Sequence, residues 1–239
     1  MSQIPKAQSL GRAPLSSAVE DYLKAIHALR EDGLEVVSTQ ALANRLGVAP
    51  PSATAMLKKL DALGLAHHEP YRGVHLSTAG EKIALEIVRH HRIIETFLSQ
   101  ILGLEWDKVH DEAERLEHVL SEEVEAKMAE VLGNPTRDPH GAPIPSVEGA
   151  IEYSSETRLS EAVAGFSGQI CRVSDENAEV LRHLRQLGLI LGAQVEVVRS
   201  EGVEGVIQTQ IDGREQVIGQ SPARFVWLET EKEATKNQP

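Results

Sequence analysis

The sequence predicts a mainly α-helical chain that ends in a small β domain. Apolar residues recur at helical spacing from residue 15 to residue 133. Four prolines then interrupt the pattern, and alternating apolar and polar residues typical of short strands follow. We therefore expect a disordered tail over residues 1–14, then two helical domains over residues 15–77 and 78–133. A proline-containing linker over residues 134–158 leads to a β-barrel over residues 159–230, and a second disordered tail covers residues 231–239.

The composition is that of an ordinary globular protein, with 239 residues of which 41% are hydrophobic and 25% charged. No apolar run approaches the roughly 20 residues that a membrane span needs. The first fourteen residues lack the apolar core of a signal peptide, and the single cysteine, Cys171, excludes an internal disulfide framework. We expect a cytoplasmic protein that has no membrane partner.

The charge is unevenly distributed. The formal net charge is −12, but residues 1–80 carry eight basic and seven acidic residues, which leaves 16 basic and 29 acidic residues for the remainder. Binding to DNA phosphates requires only local positive charge. The N-terminal part therefore remains able to bind nucleic acid, and the acidic remainder is suited to divalent cations.

Three helices are predicted in the N-terminal part. Ser17 and Glu20 have capping-box spacing and begin a helix that ends near Gly33, with Asp21 in its first turn. Asp21 alone is best interpreted as an acid that favours the helix dipole. Ser38 then caps TQALANRLG, and Pro50-Pro51-Ser52 begins SATAMLKKLDALG. Two short helices joined by a glycine-containing turn are typical of a helix-turn-helix, although many αα-hairpins look similar.

The continuation favours a winged helix. Leu65–Glu69 and Val74–Leu76 alternate about a turn at Pro70–Gly73, which predicts a short hairpin. Small residues at the start of the second helix allow close approach to the major groove, whereas lysines and a wing-tip arginine reach phosphates or the minor groove. The predicted DNA contacts are Pro51, Ser52, Thr54, Lys58, Lys59 and Arg72.

A long helix follows from the capping box Thr78–Glu81 to about Leu102. Its apolar surface exceeds what a short wing could cover, which predicts contact with a second subunit and hence a homodimer. The same helix carries His91 and Glu95 at i, i+4, a spacing that places both on one face.

The next helix lies within the stretch from Trp106 to Glu125. Four of its residues, at i, i+4, i+7 and i+8, fall within roughly a 100° arc of one helix face; they are His110, Glu114, Glu117 and His118. Alone, such a face is more often solvated, but the nearby pair on the preceding helix supplies enough donors for two metal sites. A last helix is predicted from Ser121 to about Leu132.

The C-terminal part predicts a small SH3-like β-barrel. One helix is expected from Ala178 to Leu187. The predicted strands are Gln169–Val173, Gln194–Val198, Val206–Ile211, Glu215–Ile218 and Arg224–Leu228.

Taken in order, these parts resemble the diphtheria-toxin-repressor and manganese-transport-regulator family of metal-dependent transcription factors. The resemblance runs from about Leu15 to Glu229. It depends most on AVEDYLKAIHAL, YRGVHLSTAG, RHHRIIETFL, VHDEAERLEHVLSEEVE and GAPIP. It implies a winged helix-turn-helix domain, a helical dimerisation domain and an SH3-like barrel.

The resemblance also implies the metal ligands. An activating site is implied at Asp21, Glu114, Glu117 and His118. An ancillary site is implied at His91, Glu95 and His110, with Asp175 as the best match for a ligand from the barrel, although Glu176 and Glu179 lie nearby.

Two of these positions bear on the metal. The iron-responsive branch of the family has Met and Cys where this chain has Asp21 and Glu114, whereas the manganese branch has carboxylates at both. Hard oxygen ligands favour Mn(II). Fe(II) remains an alternative, and other divalent ions are expected to substitute in vitro. Lys24 replaces a glutamate of the two-metal cluster in manganese regulators, so two separated sites are expected.

The implied function is a Mn(II)-dependent regulator, expected to be a repressor, that binds a palindromic double-stranded operator and is not an enzyme. A cation bound by Asp21 and by the dimerisation domain would fix the orientation of the DNA-binding domain. Two other functions are compatible with these residues. One is a metallohydrolase with a winged-helix module, and the other is a metal-free scaffold held by salt bridges.

Overall fold

The computed structural model describes residues 15–69, 72–152, 154–175, 177–202 and 205–230. Both predicted tails, the wing-turn residues Pro70 and Tyr71, and Glu176 lie outside the described residues. The chain divides into two compact units, residues 1–87 and 88–239. Within the described residues, no helix has the length and apolar character needed to cross a membrane.

The first unit is the predicted winged helix. Its helices are α1 (Ser17–Glu31), α2 (Thr39–Arg45) and α3 (Pro50–Ala62), and its hairpin consists of β1 (Ala66–Glu69) and β2 (Gly73–Leu76). The two strands pair antiparallel, with His67 opposite His75. Gly73 has φ +107°, and a Cβ there would collide with Val36 and the Val37 carbonyl, so only glycine fits where β2 begins.

Helix α1 buries one apolar stripe. Val19, Tyr22, Leu23 and Ile26 are spaced at i, i+3, i+4 and i+7, and all four are buried. Its N-cap is Ser16, which has extended dihedrals, and not Ser17 as the capping-box prediction implied. The side chain of Ser38 does cap α2, because its Oγ accepts from the Ala41 amide at 3.1 Å.

The second unit begins within α4 (Thr78–Gln100) and continues through α5 (Val109–Leu116) and α6 (Glu122–Val131). Helix α5 is shorter than predicted. It ends at Leu116, so Glu117 and His118 lie in the following turn and not on a continuous helical face. Ser121 then caps α6 by accepting from the Val124 amide, which makes the turn a junction between two helices.

The segment predicted as a proline linker is ordered and packed. Asp138, His140, Ala142 and Ile144 are all buried. The His140 carbonyl accepts from the Val173 amide at 2.9 Å. The four prolines correctly predicted that this segment forms no helix, but its backbone hydrogen bonds and its burial make it part of the unit's interior. We call residues 134–149 the proline loop.

The β domain contains a sheet of six antiparallel strands among the described residues, in the order β3-β8-β4-β5-β6-β7. The strands are β3 (Glu156–Arg158), β4 (Ser167–Val173), β5 (Gln194–Ser200), β6 (Val206–Ile211), β7 (Arg214–Gly219) and β8 (Val226–Glu229). Helices α7 (Ala178–Gln186) and α8 (Gln220–Ala223) accompany them. The five predicted strands and α7 are confirmed within a few residues; β3 and α8 were not predicted.

Candidate metal centre

Helix α4 presents two buried donors to the interior of the second unit. His91 is 4% exposed and Glu95 is 0% exposed, and the i, i+4 spacing holds His91 Nε2 3.0 Å from Glu95 Oε1. Neither carboxylate oxygen of Glu95 has a hydrogen-bond partner among the described residues. A fully buried carboxylate without hydrogen bonds is costly, and a bound cation would remove that cost.

Helix α5 brings His110 to the same place. Its Nδ1 atom lies 3.2 Å from His91 Nε2 and 3.4 Å from Glu95 Oε1. From the segment after β4, Asp175 Oδ2 lies 3.6 Å from His110 Nδ1. One ligand atom from each of these four residues lies within 4.8 Å of the other three. The four residues predicted for the ancillary site therefore form one cluster.

Asp175 is better placed than Glu179 to be the ligand that the barrel contributes. Glu179 lies in the first turn of α7 and is exposed. Asp175 is a quarter exposed and faces His110.

The three C-terminal residues of the predicted activating site lie next to this cluster. Glu117 is buried, and its Oε2 lies 2.5 Å from His91 Nδ1. Glu114 Oε1 lies 3.9 Å from the same nitrogen, and His118 Nε2 lies 3.6 Å from Glu117 Oε1. Asp21 is on α1 in the first unit and is half-buried. Its participation stays a prediction.

The tautomer of His91 suits a ligand. A carboxylate oxygen accepts, so the short contact with Glu117 places the hydrogen on Nδ1. The lone pair of neutral His91 is then on Nε2, which faces Glu95 and His110. A histidine ligand whose second nitrogen donates to a carboxylate is a common arrangement in metal sites.

Two further buried donors were missed by the sequence prediction. Asp138 and His140 of the proline loop face Glu95 and Asp175, and one ligand atom from each of these four residues lies within 4.8 Å of the other three. The signal in the sequence was a charged residue and a histidine two positions apart among prolines. The same composition also fits a polar linker.

The electrostatics of the cluster show a balance of carboxylates and imidazoles. Burial opposes the charge of His110, but Asp175 and Glu95 outweigh it and raise the pKa of His110 to about 10. Burial likewise opposes the charge of His140, and Glu95 raises its pKa to about 9. Burial and Glu95 favour the neutral acid at Asp175, yet His110 and His140 lower its pKa to about 2.

The donor chemistry fits a divalent cation. The cluster contains imidazole nitrogens and carboxylate oxygens and no sulfur. Cys171 is on β4, where its thiol contacts the Trp227 carbonyl at 3.4 Å, and burial with nearby acids raises its pKa to about 12. An inert thiol of this kind is a poor ligand.

The winged helix exposes most of the predicted DNA contacts. Pro51, Ser52, Lys58 and Lys59 are exposed, whereas Ala53, one of the small residues at the start of this helix, is buried in the core. Thr54 donates its hydroxyl to the Pro50 carbonyl at 3.0 Å. Arg72 is exposed and pairs with Glu69 at 3.0 Å. The lysines therefore form the cationic part of this face of α3.

Three family models match consecutive parts of the chain. Residues 14–74 match the iron dependent repressor N-terminal DNA binding domain. Residues 77–146 match the iron dependent repressor metal binding and dimerisation domain. Residues 157–230 match the FeoA domain. Most of the proline loop, residues 134–146, thus falls within the match to the metal-binding domain.

Known proteins are similar over most of their length. The diphtheria toxin repressor of Corynebacterium glutamicum is 32% identical over 198 residues, which cover 79% of this chain and 86% of that protein. The iron-dependent repressor IdeR of Mycobacterium tuberculosis is 31% identical over 215 residues, covering 85% of this chain and 92% of that protein.

Solved structures of metal-dependent repressors are similar to this chain over most of its length. A manganese-dependent transcriptional repressor in complex with manganese has a TM-score of 0.84 and 37% identity, covering 89% of this chain and 99% of that chain. IdeR of T. acidophilum has a TM-score of 0.76 and 27% identity, covering 92% of this chain and 100% of that chain. With its DNA-binding, metal-binding and dimerisation domains, the chain therefore belongs to the diphtheria-toxin-repressor family of metal-dependent transcriptional repressors.

Proposed function

We propose that this repressor is activated by Mn(II) and then binds a palindromic operator as a homodimer. The observation that carries the choice of metal is the sulfur-free donor set of both sites, with carboxylates at Asp21 and Glu114, where the resemblance places Met and Cys in the iron-responsive branch. Carboxylate and imidazole ligands favour Mn(II) over metals that gain from thiolates or thioethers. The orphaned oxygens of Glu95 are a site where such a cation would bind.

The activating ion is proposed to bind Asp21 together with Glu114, Glu117 and His118. The support is the resemblance at these four positions, with carboxylates at residues 21 and 114. A cation shared by the two domains would limit the positions of α3 in each subunit of the dimer. Half-sites of dimeric helix-turn-helix proteins lie about one DNA turn, roughly 34 Å, apart, so the spacing of the two α3 helices decides binding.

Fe(II) activation is the second candidate. It is favoured by the iron-dependent repressors among the relatives. Fe(II) and Mn(II) both accept nitrogen and oxygen ligands, and Fe(II) binds a given site more tightly in the usual order of stability. A direct comparison of the two ions therefore decides between the candidates.

The test is operator binding measured by fluorescence anisotropy. The operator is first selected from random duplex DNA with the full chain in Mn(II). We expect tight binding in Mn(II), loss of binding in EDTA, and weaker activation by Fe(II) under anaerobic conditions at matched free-ion concentration. Binding that ignores EDTA, or activation that is stronger with Fe(II), would overturn the proposal.

Two variants test the activating site. Asp21→Ala and Glu114→Ala should each reduce Mn(II)-dependent operator binding by roughly tenfold or more, because each removes one ligand. Their matched controls are Glu20→Ala and Glu112→Ala, which remove neighbouring acids from the same helices. Light scattering should show an intact dimer for all four variants.

A further inference from the structure

The proline loop places two buried side chains, Asp138 and His140, against the metal cluster. Neither is a ligand of the two sites proposed above. Asp138 is 6% exposed and His140 is 0% exposed. Asp138 Oδ2 and His140 Nδ1 have no hydrogen-bond partner among the described residues, and the same is true of both oxygens of Glu95. Four unsatisfied polar atoms in one buried place require an explanation.

The hydrogen of His140 has a defined position. Its Nε2 atom lies 2.7 Å from the Trp106 carbonyl oxygen, which can only accept, so Nε2 carries the hydrogen. In the neutral ring the lone pair is then on Nδ1. That atom lies 3.8 Å from Glu95 Oε2 and 3.9 Å from Asp175 Oδ2. These separations are too long for hydrogen bonds.

The same separations suit ligands of one cation. Divalent ions bind oxygen at about 2.0–2.6 Å, so two donors of one ion lie between about 3 Å apart, when adjacent, and about 5 Å apart, when opposite. A cation between His140, Glu95 and Asp175 would bind one donor atom of each residue, none of which is hydrogen-bonded to another of the three at these separations.

The orientation of Asp138 is fixed by the backbone of its own loop. Its Oδ1 atom accepts from the amides of His140 at 2.8 Å and Ala142 at 2.9 Å. Oδ2 is therefore left available, with Arg92 Nε at 3.7 Å.

Glu95 connects the two groups of donors. Its Oε1 atom faces His91 and His110 at 3.0 and 3.4 Å, whereas its Oε2 atom faces His140. Asp175 Oδ2 lies between the rings of His110 and His140. His91 and His110 therefore face one side of the Glu95 and Asp175 carboxylates, and His140 faces the other. Carboxylates placed in this way can bridge two metal ions about 3.5–4 Å apart.

We propose that the ancillary site is dinuclear, with a second divalent cation bound by Asp138 and His140 and bridged through Glu95 and Asp175 to the ion of His91 and His110. This inference deepens the proposed function, because it takes Mn(II) as the ion and the ancillary site as its place. It assigns the proline loop a direct role as ligand donor.

The test uses the full chain loaded with Mn(II). Metal content after equilibrium dialysis should be one equivalent lower in His140→Phe than in the wild type. Phenylalanine keeps the ring that stacks on Trp106 at a centroid distance of 5.8 Å. The matched control His183→Phe changes an exposed histidine of α7 and should retain the wild-type content. Asp138→Asn, which keeps Oδ1 for the backbone amides, should also lose one equivalent.

Electron paramagnetic resonance gives an independent measure. Two Mn(II) ions bridged by carboxylates are magnetically coupled, so the wild type should show a coupled spectrum that His140→Phe converts to that of isolated ions. This measurement holds for the wild type even if a variant fails to fold. A wild type with only isolated ions, or equal metal content in all variants, would overturn the inference.

These outcomes are separate from those of the proposed function. Isolated ions in a protein whose operator binding still depends on Mn(II) would overturn the dinuclear site alone. A coupled pair in a protein whose operator binding ignores metal would overturn the proposed function alone.

Discussion

His91 Nδ1 lies 2.5 Å from Glu117 Oε2, so one imidazole ring joins the ancillary cluster to the turn that follows α5. The other nitrogen of the ring faces Glu95 and His110. Glu117 is a predicted ligand of the activating ion and also orients a ligand of the ancillary ion. The two sites, expected to be separate, share this contact.

Glu117→Gln should therefore weaken both sites. Glutamine can still accept from His91 Nδ1 but lacks the negative charge, and mutation of the partner of a histidine ligand typically reduces metal affinity by about 10- to 100-fold. Calorimetric titration with Mn(II) should show that reduction at the ancillary site, in addition to loss of the activating site. Glu114→Gln is the control, because Glu114 lies 3.9 Å from His91 and should affect mainly the activating site. Equal ancillary affinities in the two variants would contradict the shared role.

The proline loop depends on Gly141. Its φ is +86°, and a Cβ would collide with the Cys171 carbonyl of β4. Gly141→Ala should destabilise the chain by about 1–3 kcal/mol and lower Mn(II) uptake, because it displaces the loop that carries Asp138 and His140. Thermal unfolding and metal analysis measure the two effects.

Gly165→Ala is the control that separates the strain of a positive φ from the collision of the added Cβ with β4. Gly165 has φ +87° with nothing within 4 Å of an added Cβ. That variant should show the smaller loss of stability and retain its metal. If both variants behave alike, the contact with β4 has no special role.

His27 should make the stability of the first unit depend on pH. Burial opposes its charge, but Glu31 and Glu81 outweigh burial and raise its pKa to about 9, with Glu81 Oε1 2.7 Å from Nδ1. A raised pKa stabilises the folded state fully below the unfolded value of about 6.5 and less as pH rises through about 9.

His27→Gln should therefore be less stable than the wild type at pH 6, and the difference should shrink by pH 9.5. Denaturant unfolding of the metal-free chain at several pH values measures this. His75→Gln, at an exposed position in β2, is the control. A difference that grows with pH would show that the ion pairs of His27 are not responsible.

Lys58 and Lys59 should contribute to DNA affinity without contributing to sequence choice. Both are exposed on α3, and a lysine that contacts a phosphate releases about one counterion. Lys58→Ala or Lys59→Ala should weaken binding to all duplexes and reduce the slope of log K against log salt by about 1. Lys127→Ala, an exposed lysine on α6 paired with Glu130, is the control. A change confined to the specific operator would indicate base contacts instead.

The sequence predicted elements more reliably than it predicted turns. Periodicity located α1 to α4 and five strands of the barrel, because their apolar faces repeat in register with the core. The sequence prediction extended α5 through His118, because the side chains of Glu117 and His118 continue the helical spacing. That spacing does not reveal that the helix ends and that Ser121 caps a new one. The prediction also assigned Asp138 and His140 to a linker, because burial of an irregular segment depends on contacts with residues distant in sequence, such as Trp106 and Val173.

The cluster around Glu95 has a consequence for the lifetime of the protein. A cation shared by Glu95 and Asp175 joins residues about 80 positions apart in the folded chain, and because it binds only the folded chain, its binding free energy adds to the free energy of unfolding. A chain with a single cysteine has no internal disulfide to do this. If the proposed sites are correct, metal starvation would expose the repressor to proteolysis as well as release it from DNA, so that the cell would have to resynthesise it when the metal returns.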